Sequence, residues 1–183
     1  MIKELIKNLK FKTRQSSIIN HKSMRGFTLI ELLTVIGVMG VVSAMALVLL
    51  NPVEQLRKTR DASRKGDLVQ VQKALEAYYS DVGSYPTNTV SYTIFDANTG
   101  NPVSWGTSWS PYMNILPRDP STSSRYVYVS SGQSYFLYAN LERDSRDPQT
   151  CGGNGSPCPN APVNQCGGGA ECNYGVTSPN ATP

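Results

Sequence analysis

Met24-Arg25-Gly26-Phe27-Thr28-Leu29-Ile30-Glu31-Leu32-Leu33-Thr34-Val35-Ile36 opens an apolar run that continues to Leu50. From Phe27 to Leu50 the run holds 24 residues and a single ionisable side chain, Glu31. As a helix it would be about 36 Å long, enough to cross a hydrocarbon core of roughly 30 Å. A carboxylate one turn inside such a span needs a reason. Charge buried without a partner is strongly unfavourable, and acids inside membrane segments are functional suspects by default.

Working outward, Met1 to Gly26 is polar and basic. Seven of the 17 Lys/Arg and one of the 13 Asp/Glu precede Phe27, which leaves ten against twelve beyond it. The overall charge of +4 therefore belongs to the leader, and a nucleic-acid-binding surface is not the default reading. Two processing routes compete. Cleavage after the apolar run, at the A-x-A-like Ala44-Met45-Ala46, would release a soluble secreted protein. Cleavage between Gly26 and Phe27 would leave the span on the product. A glycine directly before the apolar block, a phenylalanine opening it and Glu31 at the fifth position after that bond favour the second route.

Gly26-Phe27-Thr28-Leu29-Ile30-Glu31 resembles the cleavage and methylation signal of type IV prepilins and type II secretion pseudopilins. The resemblance implies removal of 1–26 by a prepilin peptidase and methylation of the new amine of Phe27. It also implies that Glu31 serves assembly by pairing with the Phe27 amine of a neighbouring subunit. Two charges stranded in apolar surroundings would then neutralise each other. The plainer alternative is a pair within one subunit, since the two residues are four apart on a helix. Orientation rests on the resemblance. Six Lys/Arg lie within 20 residues before Phe27 and five within 20 after Leu50, nearly a tie under the positive-inside rule. Gly37 and Gly40, with Ser43 and Ala44, would permit close helix packing in a filament core, and are also ordinary in membrane helices.

Asn51-Pro52 predicts a bend, because proline removes a helix hydrogen bond while helix-favouring sequence resumes at once. Glu54 with Arg57/Lys58 and Asp61 with Arg64/Lys65 have the spacing of a solvated helix face. Gly66-Asp67 reads as a second bend or a fresh N-cap. Leu68, Val71, Leu75, Tyr78 and Val82 form one apolar stripe, and Gly83 with Pro86 signals its end.

Asp81-Val82-Gly83-Ser84-Tyr85-Pro86 and Leu116-Pro117-Arg118-Asp119-Pro120 resemble the turn after the long helix and a later element of major pseudopilins and related pilins. The resemblance thus extends over roughly Arg25 to Asn140. Val90 to Phe95 alternates like a strand, and Tyr126–Ser130 and Ser134–Asn140 form a hairpin across Ser131-Gly132-Gln133. The expected fold is α+β and pilin-like: a long N-terminal helix, membrane-spanning in its first half, covers a small antiparallel sheet and is followed by an irregular cysteine-containing tail. The expected segments are 1–26 leader, 27–50 transmembrane or filament-core helix, 51–83 amphipathic helix, 84–149 loop and sheet, and 150–183 tail.

All four cysteines, Cys151, Cys158, Cys166 and Cys172, lie in that tail. Four cysteines allow three connectivities; disulfides fit an oxidising compartment, and the spacing is unlike zinc ribbons. Major pseudopilins often hold calcium near here, and Asp144 and Asp147 offer oxygen ligands. Two arginines interrupt that cluster and no EF-hand spacing exists, so a solvated turn competes; no other cofactor is implied. Trp105 and Trp109 read either as loop anchors or as a stacking platform for a sugar or base.

No enzyme is expected. The one histidine, His21, lies in the leader, and no phosphate-cradling glycine loop precedes a helix. The resemblance implies a structural subunit of a type IV pilus-like or type II secretion-like filament. It would be single-pass in the cell membrane before assembly, then part of a filament in the periplasm or outside the cell. Its partners would be copies of itself, minor pilins or pseudopilins, a prepilin peptidase, and an assembly ATPase with its platform protein. A secreted or membrane-anchored binding module for a carbohydrate or surface ligand is the alternative from another class.

Overall fold

A computed structural model describes residues 26–181. Expectations that fall on the leader before Gly26, His21 included, lie outside the described residues. The chain divides into two compact units between Val48 and Leu49. The first is built on α1, Leu29–Leu50. From Leu29 to Leu47 it is long and apolar enough to cross a membrane, and none of that window is buried in the protein.

The helical path breaks at Asn51, which takes the left-handed conformation (φ 42°, ψ 68°). A new helix, α2, runs from Pro52 to Val82. The bend expected here is thus a one-residue interruption. Proline disfavours α geometry at the residue before it, asparagine tolerates the left-handed region, and proline suits a first helical position.

No break occurs at Gly66-Asp67; α2 passes straight through. A mid-helix glycine costs about 1 kcal/mol relative to alanine, and burial of Leu68, Val71, Ala74, Leu75 and Tyr78 outweighs it. Val82, expected on the same stripe, is exposed. The helix stops at Gly83 (φ 80°), whose N–H donates to the Tyr79 carbonyl at 2.8 Å, a left-handed cap that glycine adopts without strain.

Two three-stranded antiparallel sheets follow. β1 (Thr87–Asn88), β2 (Ile94–Asp96) and β3 (Asn101–Val103) form the first in sequence order. The strand expected from Val90 is shorter. Thr89 Oγ1 accepts the backbone N–H groups of Ser91 and Thr93, closing a turn with Tyr92 at φ 59°. Such local side-chain bonds compete with strand pairing.

β4 (Val127–Ser130) and β5 (Tyr135–Ala139) form the expected hairpin, in register from Val127 opposite Tyr138 to Ser130 opposite Tyr135. The third strand, β6 (Tyr174–Thr177), comes from the tail and pairs with β5. The tail is therefore not merely irregular. Alternation along β4 and β5 sends Tyr128, Tyr135, Leu137 and Ala139 toward the α2 stripe. Val127 and Tyr138 face the other way, into a second cluster with Cys158, Cys166 and Cys172. The tail covers the face of the sheet that α2 leaves open.

Candidate functional site

The bond between Gly26 and Phe27 lies outside helix, two residues before α1 begins. Phe27 is 88% exposed. Thr28 and Glu31 form a reciprocal cap: Thr28 N–H and Oγ1–H donate to Glu31 Oε2 at 2.8 and 2.9 Å, and Glu31 N–H donates to Thr28 Oγ1 at 3.2 Å. This capping box satisfies amide donors that the first helical turn leaves without partners. The T-x-x-E spacing was its visible signal. Glu31 therefore has a task inside its own subunit, which sequence reasoning missed. Within one chain, Thr28 holds the Glu31 carboxylate.

α1 carries no polar stripe, and among the described residues nothing in its own unit buries Leu29 to Leu47. Gly37 and Gly40 have open space where a Cβ would project. A helix apolar on every side must be covered by lipid or by other helices.

The second unit holds an ion-pair network where a solvated helix face was expected. Arg64 and Asp61 are fully buried. Arg64 donates to Asp119 at 2.9 Å twice, to Asp61 at 2.8 Å, and lies 3.0 Å from Glu142. Asp61 also accepts the backbone N–H groups of Glu142 and Arg143. Arg60 donates through Nε to Glu142 at 2.7 Å, and Glu54 pairs with Arg143 and Arg146. Burial works against the Arg64 charge, but the facing carboxylates hold it firmly protonated. Apart from Asp61, the partners are far along the chain, Asp119 55 residues from Arg64, Glu142 82 from Arg60 and Arg143 89 from Glu54, so i,i+3 and i,i+4 spacing could not reveal them.

The Asp144 and Asp147 carboxylates are engaged by partners of this chain. Asp147 Oδ2 accepts from Lys65 Nζ at 2.6 Å and its Oδ1 from the Gln149 N–H at 3.0 Å. Asp144 is exposed, and its Oδ1 accepts the Ser145 N–H. An ammonium holds the carboxylate that a divalent ion would need. Among the described residues no group of three or more His, Cys, Asp or Glu is arranged for a metal.

Nor do the tryptophans form a platform. Trp109 is 1% exposed, with its ring 5.7 Å from Tyr78 and 5.2 Å from Tyr112. Trp105 meets Tyr126 edge to face at 5.5 Å, packed against the same core. The cysteines pair as Cys151–Cys158 and Cys166–Cys172.

This arrangement joins an unpartnered apolar helix with a capped acid at its start to a helix-covered sheet. Comparison with known proteins places both parts. The Prokaryotic N-terminal methylation motif matches residues 21–47, and the family described as Type II secretion system (T2SS), protein G matches residues 51–150. The chain belongs to the protein G family. It is 33% identical over 110 residues to the Type II secretion system core protein G of Escherichia coli (strain K12), covering 60% of this chain and 74% of the relative. The protein of the same name from Pseudomonas aeruginosa is 28% identical over 116 residues (61% and 77%), and that of Vibrio cholerae 29% over 114 (61% and 76%). No solved structure matches. The family match ends at residue 150, so the disulfide tail that supplies β6 lies beyond it.

Proposed function

We propose that this protein G family member is the filament subunit of a type II secretion pseudopilus, processed between Gly26 and Phe27 and assembled through α1. Family membership supports the filament role, and the apolar helix supports membrane anchoring before assembly. The observation that carries the reading is α1 itself: 22 residues, exposed throughout Leu29 to Leu47, starting three residues after Gly26. Before assembly lipid covers it; afterwards neighbouring copies do.

In this reading the peptidase reaches a non-helical Gly26–Phe27 bond, and the new amine of Phe27 is methylated. Glu31 then neutralises the Phe27 amine of the next subunit, a desolvated pair that fixes axial register. The partners are copies of this chain, minor pseudopilins, the peptidase, and an assembly ATPase with its platform protein. The filament extends outward from the membrane and the chain performs no chemistry of its own.

Glu31→Gln tests the assembly role cleanly, because glutamine also completes a capping box while removing the charge. Sheared filaments should fall at least tenfold with processing intact. Wild-type filament yield from Glu31→Gln would refute the pairing role.

A further inference from the structure

In the loop after the sheet, the Asp147 carboxylate expected to offer calcium a ligand is already taken by a cation of this chain. Lys65 projects from α2 with Nζ 2.6 Å from Asp147 Oδ2, 2.7 Å from Gln149 Oε1 and 5.6 Å from the centre of the Tyr174 ring. An ammonium has three donors, and a carboxylate, an amide oxygen and an aromatic face are groups that bind one. Tyr174 opens β6 and Asp147 stands in the loop after β5, so one side chain joins α2 to both.

The loop builds inward from the same carboxylate. Asp147 Oδ1 accepts the Gln149 N–H, and the Asp147 carbonyl accepts the Thr150 hydroxyl. Thr150 Oγ1 in turn accepts the Gly155 N–H, and Cys151 N–H donates to the Asn173 carbonyl. Two further loop cations, Arg143 and Arg146, pair with Glu54 of α2. A divalent ion entering here would meet Lys65 on its ligand and two guanidiniums nearby, so Coulomb repulsion opposes it.

We propose that Lys65 is the resident cation of this loop, tethering α2 to the disulfide tail and making the folded unit independent of calcium. The inference stands apart from the filament reading, since it concerns the folding of one chain.

Thermal unfolding of the full chain in detergent micelles tests it, with wild type, Lys65→Met and Lys65→Arg each measured in EGTA and in millimolar calcium chloride. Wild type should melt within about 1–2 °C in the two buffers. Lys65→Met should melt about 3–5 °C lower, and Lys65→Arg should recover most of the loss. Should Lys65→Met fail to fold, a folded Lys65→Arg and an unchanged wild type in EGTA still support the assignment. A wild-type melting temperature that falls by about 3 °C or more in EGTA and returns with calcium overturns it. So does a Lys65→Met chain as stable as wild type.

Discussion

Arg64 on α2 and Asp119, in the loop before β4, meet through two parallel hydrogen bonds of 2.9 Å with neither side chain exposed. This fork holds the Leu116–Pro120 segment against the helix, and Asp119 also accepts the Ser121 N–H. Removing one member leaves a charge buried without its counterpart, which typically costs 3–5 kcal/mol. Arg64→Ala or Asp119→Ala should therefore lower the urea-unfolding free energy by about that amount. Arg64→Met with Asp119→Leu should recover at least half of it, because Asp61 keeps its backbone donors from Glu142 and Arg143. A double variant as damaged as the sum of the singles would mean the two side chains are not coupled, and would contradict the buried pair.

Acid should loosen the second unit. The Arg60 guanidinium holds Glu142 below the usual carboxylate range, and Arg143 does the same for Glu54. Burial alone would raise Asp147, but Lys65 and the Gln149 N–H bring it below its ordinary value. Each group binds a proton more weakly folded than unfolded. Its contribution is present above the unfolded value, about 4, and is lost as pH falls through the lower folded value. Asp67 runs the other way: burial raises it, so its contribution is present below its ordinary value and lost as pH rises through the raised one. Three groups against one set the net direction. The urea midpoint should drop between pH 5 and pH 3, and an unchanged or higher midpoint would contradict the loop contacts.

Alkali should act through tyrosine. Burial, with Glu76 beside it, pushes Tyr85 up to about 12, and burial also raises Tyr126, Tyr128 and Tyr135. Their stability contribution is whole below the ordinary value near 10 and disappears as pH climbs through the folded values. Ultraviolet titration should show these phenols ionising together with unfolding above pH 11, whereas ionisation near pH 10 in a folded chain would refute their burial.

Reduction of the tail should cost more than loop entropy. Each bridge closes a short ring, worth about 2–3 kcal/mol in the chain-entropy model. Cys158, Cys166 and Cys172 also pack on Val127 and Tyr138. Serine replacement of Cys166 and Cys172 should lower the melting temperature by several degrees and speed proteolysis after Gly167, read by mass spectrometry. Equal stability and equal cleavage would show that the tail does not seal the sheet.

What could be read in the sequence follows the range of the interactions. The apolar run, the Gly83 stop, the α2 stripe and the β4–β5 hairpin rest on neighbours a few residues apart, and all were legible. Glu31 stood out as an anomaly, although its bonds to Thr28, three residues away, went unread. Arg64, Asp61 and Lys65 looked like surface charges because Asp119, Asp147 and the Glu142 and Arg143 amides arrive from far along the chain. β6 hid in a tail rich in Gly, Pro and Asn, where four residues, Tyr174-Gly175-Val176-Thr177, carry too weak an alternation to announce a strand.

The N-terminus of the mature chain decides the central point. Intact mass and N-terminal sequencing of protein purified from membranes of cells that carry the peptidase should find a product beginning at Phe27 with a methylated amine. A product beginning at Leu47, or a chain still carrying residues 1–26 inside filaments, would contradict processing and assembly through α1.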